Sequence, residues 1–278
     1  MLRRLVLKFI PEKVKHQYRL NKYPDYQKKY EKNEELNRLK AIPRYVFGET
    51  DYFLNKKIEF VDNASLFFIY DEIFEKEVYK FITKNPNPYI IDAGANIGLS
   101  IIYFKKLYPN AEIIAFEPDQ KVFEVLEHNV KSFDLENVKL IKKALWNEET
   151  TLTFMSEGAD GGRIATQVDK QQLIEVKTTR LREFLNKKVD FLKIDIEGAE
   201  VKVLEDCKDL LLNVENIFVE YHSFSKEKQD LSLLIRTLEE AGYRYVINSP
   251  GLSSAQPFVK RSAYLGMDMQ LNIYAYRN

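Results

Sequence analysis

The sequence predicts an α/β fold in which helices cover both faces of a mainly parallel sheet, and three observations predict it. The apolar run Tyr89–Ile91 ends in an acid and a glycine turn, after which apolar residues recur at helical spacing. Strand-like and amphipathic helix-like segments then alternate as far as Gly242. Two late segments, residues 243–247 and 271–276, follow without a predicted helix between them, so they predict a closing antiparallel pair.

Apolar spacing also predicts the individual elements of this sheet domain. β-branched and aromatic runs predict strands, whereas apolar residues three and four positions apart predict helices. An insertion after residue 145 adds two strands that look paired, Thr151–Met155 and Val176–Arg180, around a glycine-rich stretch, Ser156–Arg163, which predicts either a mobile lid or a plain surface loop. The other predicted strands lie at 89–91, 111–116, 138–145, 190–194 and 217–219, and the helices at 97–107, at 122–133, through Leu204 and Leu211, and at 231–238.

The clearest boundary in the chain is the double proline of residues 85–88, because proline disfavours helix both at its own position and before it. Residues 1–85 are therefore predicted to be an N-terminal extension of helices and short strands, and residues 86–278 to be the sheet domain. Within the extension, residues 16–40 predict a solvated helix, residues 46–70 short strands, and residues 74–82 a further helix.

Composition restricts the function classes. The 278 residues include 42 basic and 42 acidic side chains, and this balance argues against broad electrostatic binding of nucleic acid. A single cysteine, Cys207, excludes an internal disulfide and predicts a packing role. No apolar run reaches the roughly 20 residues of a membrane span, and no signal-peptide cleavage pattern follows the N-terminus, so we expect a cytoplasmic protein.

The first 15 residues form an amphipathic pattern with basic side chains around an apolar face. Such a segment is typical of a helix that packs on its own chain or on a second subunit, which leaves a homo-oligomer open. Contact with an anionic membrane surface is the alternative.

The turn after the first core strand predicts a nucleotide-type site. Gly94 and Gly98 lie where the backbone must bend sharply and approach a ligand. A dinucleotide fingerprint would also require glycine at positions 96 and 99, where this chain has asparagine and leucine. With Asp92 before the turn and Glu117 at the end of the next strand, the pattern favours S-adenosylmethionine: Asp92 would hold its amino acid end, and Glu117 its ribose. An NAD-dependent oxidoreductase remains the alternative.

Two further strand ends carry groups suited to proton transfer. Asp195 and Glu197 share one side if their strand continues, and Glu220 and His222 do so on the next strand. We expect His222 to act as general base with Glu220 or Asp195 as its orienting carboxylate. The same four side chains could instead bind a divalent ion such as magnesium or manganese, so a metal is left open. The nearby Glu200 is interpreted as a favourable charge in the first turn of a helix.

Taken together and in order, these motifs resemble the FkbM family of class I S-adenosylmethionine-dependent methyltransferases. The resemblance covers about residues 45–225 and rests on Asp71-Glu72-Ile73-Phe74-Glu75, Ile91-Asp92-Ala93-Gly94-Ala95-Asn96-Ile97-Gly98, Phe116-Glu117-Pro118-Asp119, Ala144-Leu145, Lys193-Ile194-Asp195-Ile196-Glu197-Gly198-Ala199-Glu200 and Val219-Glu220-Tyr221-His222. It implies a Rossmann-like seven-stranded sheet and O-methylation of a hydroxyl on a sugar, glycan or glycosylated metabolite. The donor contacts that it implies are Glu72, Asp92, Gly94, Ala95, Asn96, Gly98, Glu117, Pro118, Ala144, Leu145 and Asp195.

A third function class remains beside the methyltransferase and the oxidoreductase. The chain could be a non-catalytic binding protein that uses the methyltransferase fold as a scaffold. Its lysine- and tyrosine-rich N-terminal segment would then serve as a docking arm.

Overall fold

A computed structural model describes residues 11–155, 163–164, 173–251, 254, 256–259 and 266–277. The described part of the extension starts with two helices, α1 (Glu12–Lys22) and α2 (Pro24–Lys40), where the sequence predicts one over residues 16–40. They separate at Tyr23 because Pro24 starts a new helix, where its missing N–H is not needed. The amphipathic pattern of residues 1–10 and the predicted lid at residues 156–162 lie outside the described residues.

The second half of the extension differs from its prediction in two places. Residues 46–70 contain the antiparallel strands β1 (Gly48–Thr50) and β2 (Ile58–Phe60), but they end in a helix, α3 (Asn63–Tyr70). Asp62 starts that helix, because its side chain accepts a hydrogen bond from the Ser65 amide. The helix predicted over residues 74–82 is wrong: α3 continues into a π-helix, Asp71–Glu75, and Glu77 then takes a left-handed φ of 52° that ends helical structure.

From residue 89 onward strands and α-helices alternate as the sequence predicts, except between residues 138 and 194, where six strands follow one another with no α-helix among the described residues. In chain order they are β3 (Tyr89–Ala93), α4 (Leu99–Leu107), β4 (Glu112–Phe116), α5 (Gln120–Ser132), β5 (Val138–Ile141), β6 (Ala144–Trp146), β7 (Thr151–Met155), β8 (Arg163–Ile164), β9 (Leu173–Arg180), β10 (Val189–Ile194), α6 (Glu200–Asp206), β11 (Val214–Phe224), α7 (Leu231–Glu240), β12 (Arg244–Asn248) and β13 (Met267–Tyr276).

The central sheet has seven strands in the order β12-β13-β11-β10-β3-β4-β5. The five strands from β11 to β5 are parallel to one another, whereas β13 is antiparallel to both β11 and β12. This arrangement confirms the predicted Rossmann-like class I methyltransferase fold and its closing antiparallel pair. The order reverses beside β3, so the ends of β3 and β10 form the topological switch point where such sheets bind ligands.

Two apolar clusters cover the two faces of this sheet. One contains Val203 and Leu204 of α6 with Leu234 of α7, and the other contains Ile101 and Phe104 of α4. The second cluster also includes side chains of the N-terminal extension, namely Leu39, Ile58, Phe60, Leu66, Ile73, Tyr79 and Phe81. The extension and the sheet therefore share one core, and burial of these side chains fixes the extension against α4 and α5. None of the described helices is long and apolar enough to cross a membrane.

Two predicted strand ends differ from the structure. The strand expected to run from 138 to 145 ends at Ile141, and Ala144–Trp146 begins a separate four-stranded sheet of order β6-β9-β7-β8. In that sheet β7 and β9 pair with each other, as predicted for the insertion, and the pairing is antiparallel. Strand β11 continues to Phe224, because β13 pairs with it far beyond the point where β10 stops.

Candidate active site

A cavity of about 390 Å³ opens at the carboxyl ends of β3, β4, β10 and β11, a volume within the range of small-molecule sites. The strand ends and the turns after them line the cavity with polar groups. Helix α3 forms the opposite wall of the cavity with Ala64, Phe68 and Ile69. Twelve of the predicted site residues line this one cavity: Glu72, Gly94, Ala95, Asn96, Glu117, Pro118, Ala144, Leu145, Asp195, Glu197, Glu220 and His222.

The turn after β3 is built from residues in unusual backbone conformations. Gly94, Asn96 and Gly98 all have positive φ, at 88°, 47° and 91°. The amides of Gly94 and Ala95 donate to the Phe116 carbonyl at 3.1 and 2.9 Å, which fastens the turn to the end of β4. Local hydrogen bonds therefore hold the Gly94–Asn96 backbone at the cavity wall.

Glu117 connects this turn to the start of α5. Its Oε2 accepts from the Asn96 amide at 3.1 Å, and its Oε1 accepts from the Asp119 amide at 3.0 Å. Burial raises the pKa of Glu117 to about 7, although these amide hydrogen bonds oppose the shift. A ligand that donates hydroxyl hydrogen bonds would stabilise the ionised carboxylate, and the vicinal hydroxyls of a ribose are such donors.

Asp92 does not face the cavity, which corrects the expectation that it contacts the donor directly. It is fully buried behind the turn, where it accepts a hydrogen bond from the Ser100 hydroxyl and lies 3.3 Å from the Lys193 ammonium. Gly98 also lies outside the wall, at the start of α4, where a Cβ would meet the Leu126 side chain at 2.7 Å. Both positions therefore shape the turn from behind.

His222 is the centre of a buried cluster of acids. Its Nδ1 lies 2.9 Å from Glu200 Oε1, and since a carboxylate can only accept, Nδ1 carries the proton. Its Nε2 lies 3.7 Å from Glu197 Oε2 and 3.9 Å from Glu220 Oε1. Burial alone would lower the pKa of His222, but the carboxylates of Glu197, Glu200 and Glu220 together raise it well above its ordinary value.

The orienting carboxylate is thus Glu200, and the prediction of Glu220 or Asp195 for that role is wrong. Glu200 also accepts from the amides of Gly198 at 2.9 Å and Ile196 at 3.3 Å. These bonds close a turn after β10 in which Glu197 has a positive φ of 54°. The strand consequently does not continue through residues 195–197, and it is this turn that brings Asp195 and Glu197 to the cavity.

Two other acids in the wall have raised pKa values. Burial, with help from the Asp195 charge, raises the pKa of Glu72 to about 7. Burial and the same Asp195 charge raise the pKa of Glu220 well above its ordinary value. The π-helix therefore delivers a carboxyl group from the extension into the site, as local π-helical turns often do in functional sites.

Lys193 and Gln270 are among the lining residues that were not predicted as site residues from the sequence. Lys193, the second-last residue of β10, reaches the Gly94 carbonyl with its ammonium, and its spacing of two residues from Asp195 is the signal that could have revealed it. Gln270 lies opposite His222 in the antiparallel pair of β11 and β13, and its amide nitrogen donates to Glu220. A contact between residues 50 positions apart leaves no local pattern in the chain.

The apolar end of the cavity is formed by Ala144, Leu145 and Phe154. These side chains could cover a planar base, as predicted for the first two. Trp146 does not line the cavity: its ring lies 4.0 Å from the Lys202 ammonium and packs on the main core.

A metal site remains a competing use of the polar end. One ligand atom each from Asp195, Glu197 and His222 could be brought to one ion, because these atoms lie within 4.8 Å of one another. Carboxylates with one imidazole are a suitable set for magnesium or manganese. However, the Lys193 ammonium is 3.3 Å from Asp195, and its charge opposes a second cation there.

The chain is similar to one family model and to several named methyltransferases. The model of the methyltransferase FkbM domain matches residues 92–245, more than half of the chain. Methyltransferase 1 of Beauveria bassiana is 28% identical, over 71% of this chain and 92% of its own. Methyltransferase sdnD of Sordaria araneosa is 31% identical, over 63% and 81%. The 2-O-methyltransferase NoeI of Sinorhizobium fredii is 25% identical, over 50% and 65%.

Proposed function

We propose that this chain, which belongs to the FkbM methyltransferase domain family, O-methylates a hydroxyl of a sugar, glycan or glycosylated metabolite. It is a methyltransferase, and its donor is S-adenosylmethionine. The observation that carries the proposal is one cavity that joins the turn and Glu117 to the imidazole of His222. The alternative of a dinucleotide-dependent oxidoreductase has no support in this family assignment.

The chemistry of the wall fits the donor. The Gly94–Asn96 turn and Glu72 would hold its amino acid end, with Asp92 supporting the turn from behind. Glu117 would accept the ribose hydroxyls, and the apolar Ala144 and Leu145 would cover the adenine. When bound there, S-adenosylmethionine supplies a methyl group already activated as a sulfonium.

His222 is proposed as the base that removes the acceptor proton. Glu200 holds Nδ1–H, so the lone pair of Nε2 is the only basic site left on the ring when it is neutral. Nε2 would accept the hydroxyl proton as the new O–C bond forms and the S–C bond breaks. Because nearby carboxylates raise the pKa of His222, the ring must first lose a proton, and the rate should rise as the pH increases above neutrality.

Two observations favour a hydroxyl-rich acceptor. The polar end of the cavity presents the carboxyl groups of Asp195, Glu197 and Glu220, which accept hydrogen bonds from neighbouring hydroxyls. The relative NoeI carries 2-O-methyltransferase in its name. We also propose that residues 1–85 act with the domain of residues 86–278 in forming the acceptor wall, since Phe68 and Ile69 of α3 face the same space.

The test uses S-adenosylmethionine with a labelled methyl group and a panel of acceptors. Sugars and glycosides are compared with amines and thiols of similar size, and products are identified by mass and by the position of the methyl group. Transfer to a hydroxyl is expected, and His222→Asn should slow it by about 10² to 10⁴ while S-adenosylhomocysteine still binds. Transfer confined to amines or thiols would overturn the O-methylation, and binding without any transfer would favour a non-catalytic protein.

A further inference from the structure

Lys193 has a buried ammonium that the proposed chemistry does not use. Its side chain is 3% exposed, and Nζ donates to the Gly94 carbonyl at 2.6 Å. The same nitrogen lies 3.3 Å from an oxygen of Asp92 and 3.3 Å from an oxygen of Asp195. One cation thus contacts the donor turn, the acid behind it and the acid at the cavity wall.

The turn after β3 forms hydrogen bonds toward both strands that flank β3, namely β4 and β10. Its amides donate to Phe116 and Glu117 at the end of β4, so one side of the turn is held there. Its first carbonyl, that of Gly94, points the other way, toward β10 and Lys193. The Lys193 side chain therefore fastens the turn to β10, the strand that Asp195 directly follows.

The charge of Lys193 is stable at this depth. Burial alone would lower its pKa, but the carboxylates of Asp92, Asp195 and Glu220 outweigh burial and raise the pKa above its ordinary value. The ammonium is consequently present at neutral pH. It neutralises part of an acid cluster that would otherwise repel itself.

We propose that Lys193 is the positioning residue of the donor site, which holds the Gly94 turn against β10 and sets the charge under the donor. The inference rests on the proposed placement of the donor at this turn. Lys193 acts through Gly94 and Asp195 and needs no contact with the donor itself.

The two roles of Lys193 predict different effects on substrate and product. Loss of the Gly94 contact should weaken binding of both S-adenosylmethionine and S-adenosylhomocysteine. Loss of the buried positive charge should also remove a repulsion on S-adenosylmethionine, because the sulfonium compound carries one more positive charge than the thioether product. This gain should partly offset the weaker binding of S-adenosylmethionine but not that of S-adenosylhomocysteine. The ratio of the two affinities should therefore shift in favour of the sulfonium compound.

The experiment measures both dissociation constants by calorimetry for wild-type protein, Lys193→Met and Lys193→Arg. For Lys193→Met we expect affinity for S-adenosylhomocysteine to fall at least tenfold and affinity for S-adenosylmethionine to fall less. Lys193→Arg, which keeps charge and donors, should recover most of the loss. The matched control is Lys105→Met, because Lys105 is also buried and donates to backbone carbonyls but lies outside the cavity wall.

A fold-independent comparison is available if Lys193→Met alone does not fold. Lys193→Met leaves the buried Asp92 carboxylate without its cation, and Asp92→Asn removes that unpaired charge. The double variant Asp92→Asn with Lys193→Met is therefore compared with the single variant Asp92→Asn. Equal affinity for S-adenosylhomocysteine, within twofold, in either comparison would overturn the role of Lys193. Failure of the wild-type protein to bind the compound would instead refute the proposed donor site.

Discussion

Gly94 is the position where one added carbon atom should disturb the site most. A Cβ built there would lie 1.8 Å from the backbone carbonyl oxygen of Asp195. Real Cβ contacts essentially never fall below 3.0 Å, so Gly94→Ala requires the turn and the end of β10 to separate by about 1.2 Å, the difference of those two distances. Both partners are backbone, and neither can rotate away as a side chain would.

The energetic cost has two parts. Gly94 has a φ of +88°, and alanine in a left-handed conformation costs about 1–2 kcal/mol. Overpacking against rigid neighbours typically adds about 1–3 kcal/mol. We expect the free energy of unfolding to fall by about 2–5 kcal/mol as the sum of these terms. A displacement near 1 Å at a reacting geometry costs about 100-fold in rate, so turnover should fall to that extent.

Alanine substitutions at two other glycines distinguish the cost of backbone strain from the cost of displacing neighbouring atoms. Gly242 has a similar φ of +82° with nothing within 4 Å of its Cβ position, so Gly242→Ala should cost only the strain and leave ligand binding unchanged. Gly98→Ala meets the flexible end of Leu126 at 2.7 Å and should be intermediate. Urea unfolding and calorimetry with S-adenosylhomocysteine measure both effects. Affinities of Gly94→Ala and Gly242→Ala within twofold of each other would refute the reasoning.

Three further results are expected. His222→Asn should lower turnover by about 10² to 10⁴ while the dissociation constant for S-adenosylhomocysteine stays unchanged, as measured by kinetics and calorimetry. Binding of S-adenosylhomocysteine should release a proton and tighten as the pH rises through about 7, because its ribose hydroxyls favour the ionised form of Glu117. Calorimetric titrations in buffers of different ionisation enthalpy detect the released proton, and Glu117→Gln should eliminate this proton release. Dialysis against a chelator should leave turnover of the wild-type protein intact, as required if His222 is the base and not a metal ligand.

Each of these results has a contrary outcome. Equal turnover of His222→Asn and wild type would exclude the imidazole as base. Proton release that persists in Glu117→Gln would assign the titration to another acid, with Glu72 the first candidate because burial also raises its pKa to about 7. Activity lost on chelation and restored by magnesium or manganese would replace the base with a metal held by Asp195, Glu197 and His222.

The local pattern of the chain determined the fold and the positions of most predicted site residues. Tyr89–Ile91 followed by two glycines specifies a buried strand, a bend and a helix, because each of these depends on neighbours in sequence. Glu117 was identifiable for the same reason, as an acid directly after a short apolar strand. Period-two alternation was less reliable, since it assumed that β10 runs through Glu197, whereas hydrogen bonds from Glu200 close a turn there.

Tertiary structure alone decided which groups act on one another. The pairing of β11 with β13 extended β11 to Phe224 and placed Gln270 beside Glu220, a contact between segments far apart in the chain. Burial of Asp92 behind the turn depends on how α4 packs, and no sequence pattern reports it. The partner of His222 was Glu200, because the turn after β10 brings the start of α6 back to the ring. Sequence thus specified the residue types at each strand end, and packing in three dimensions specified their partners, distances and charges.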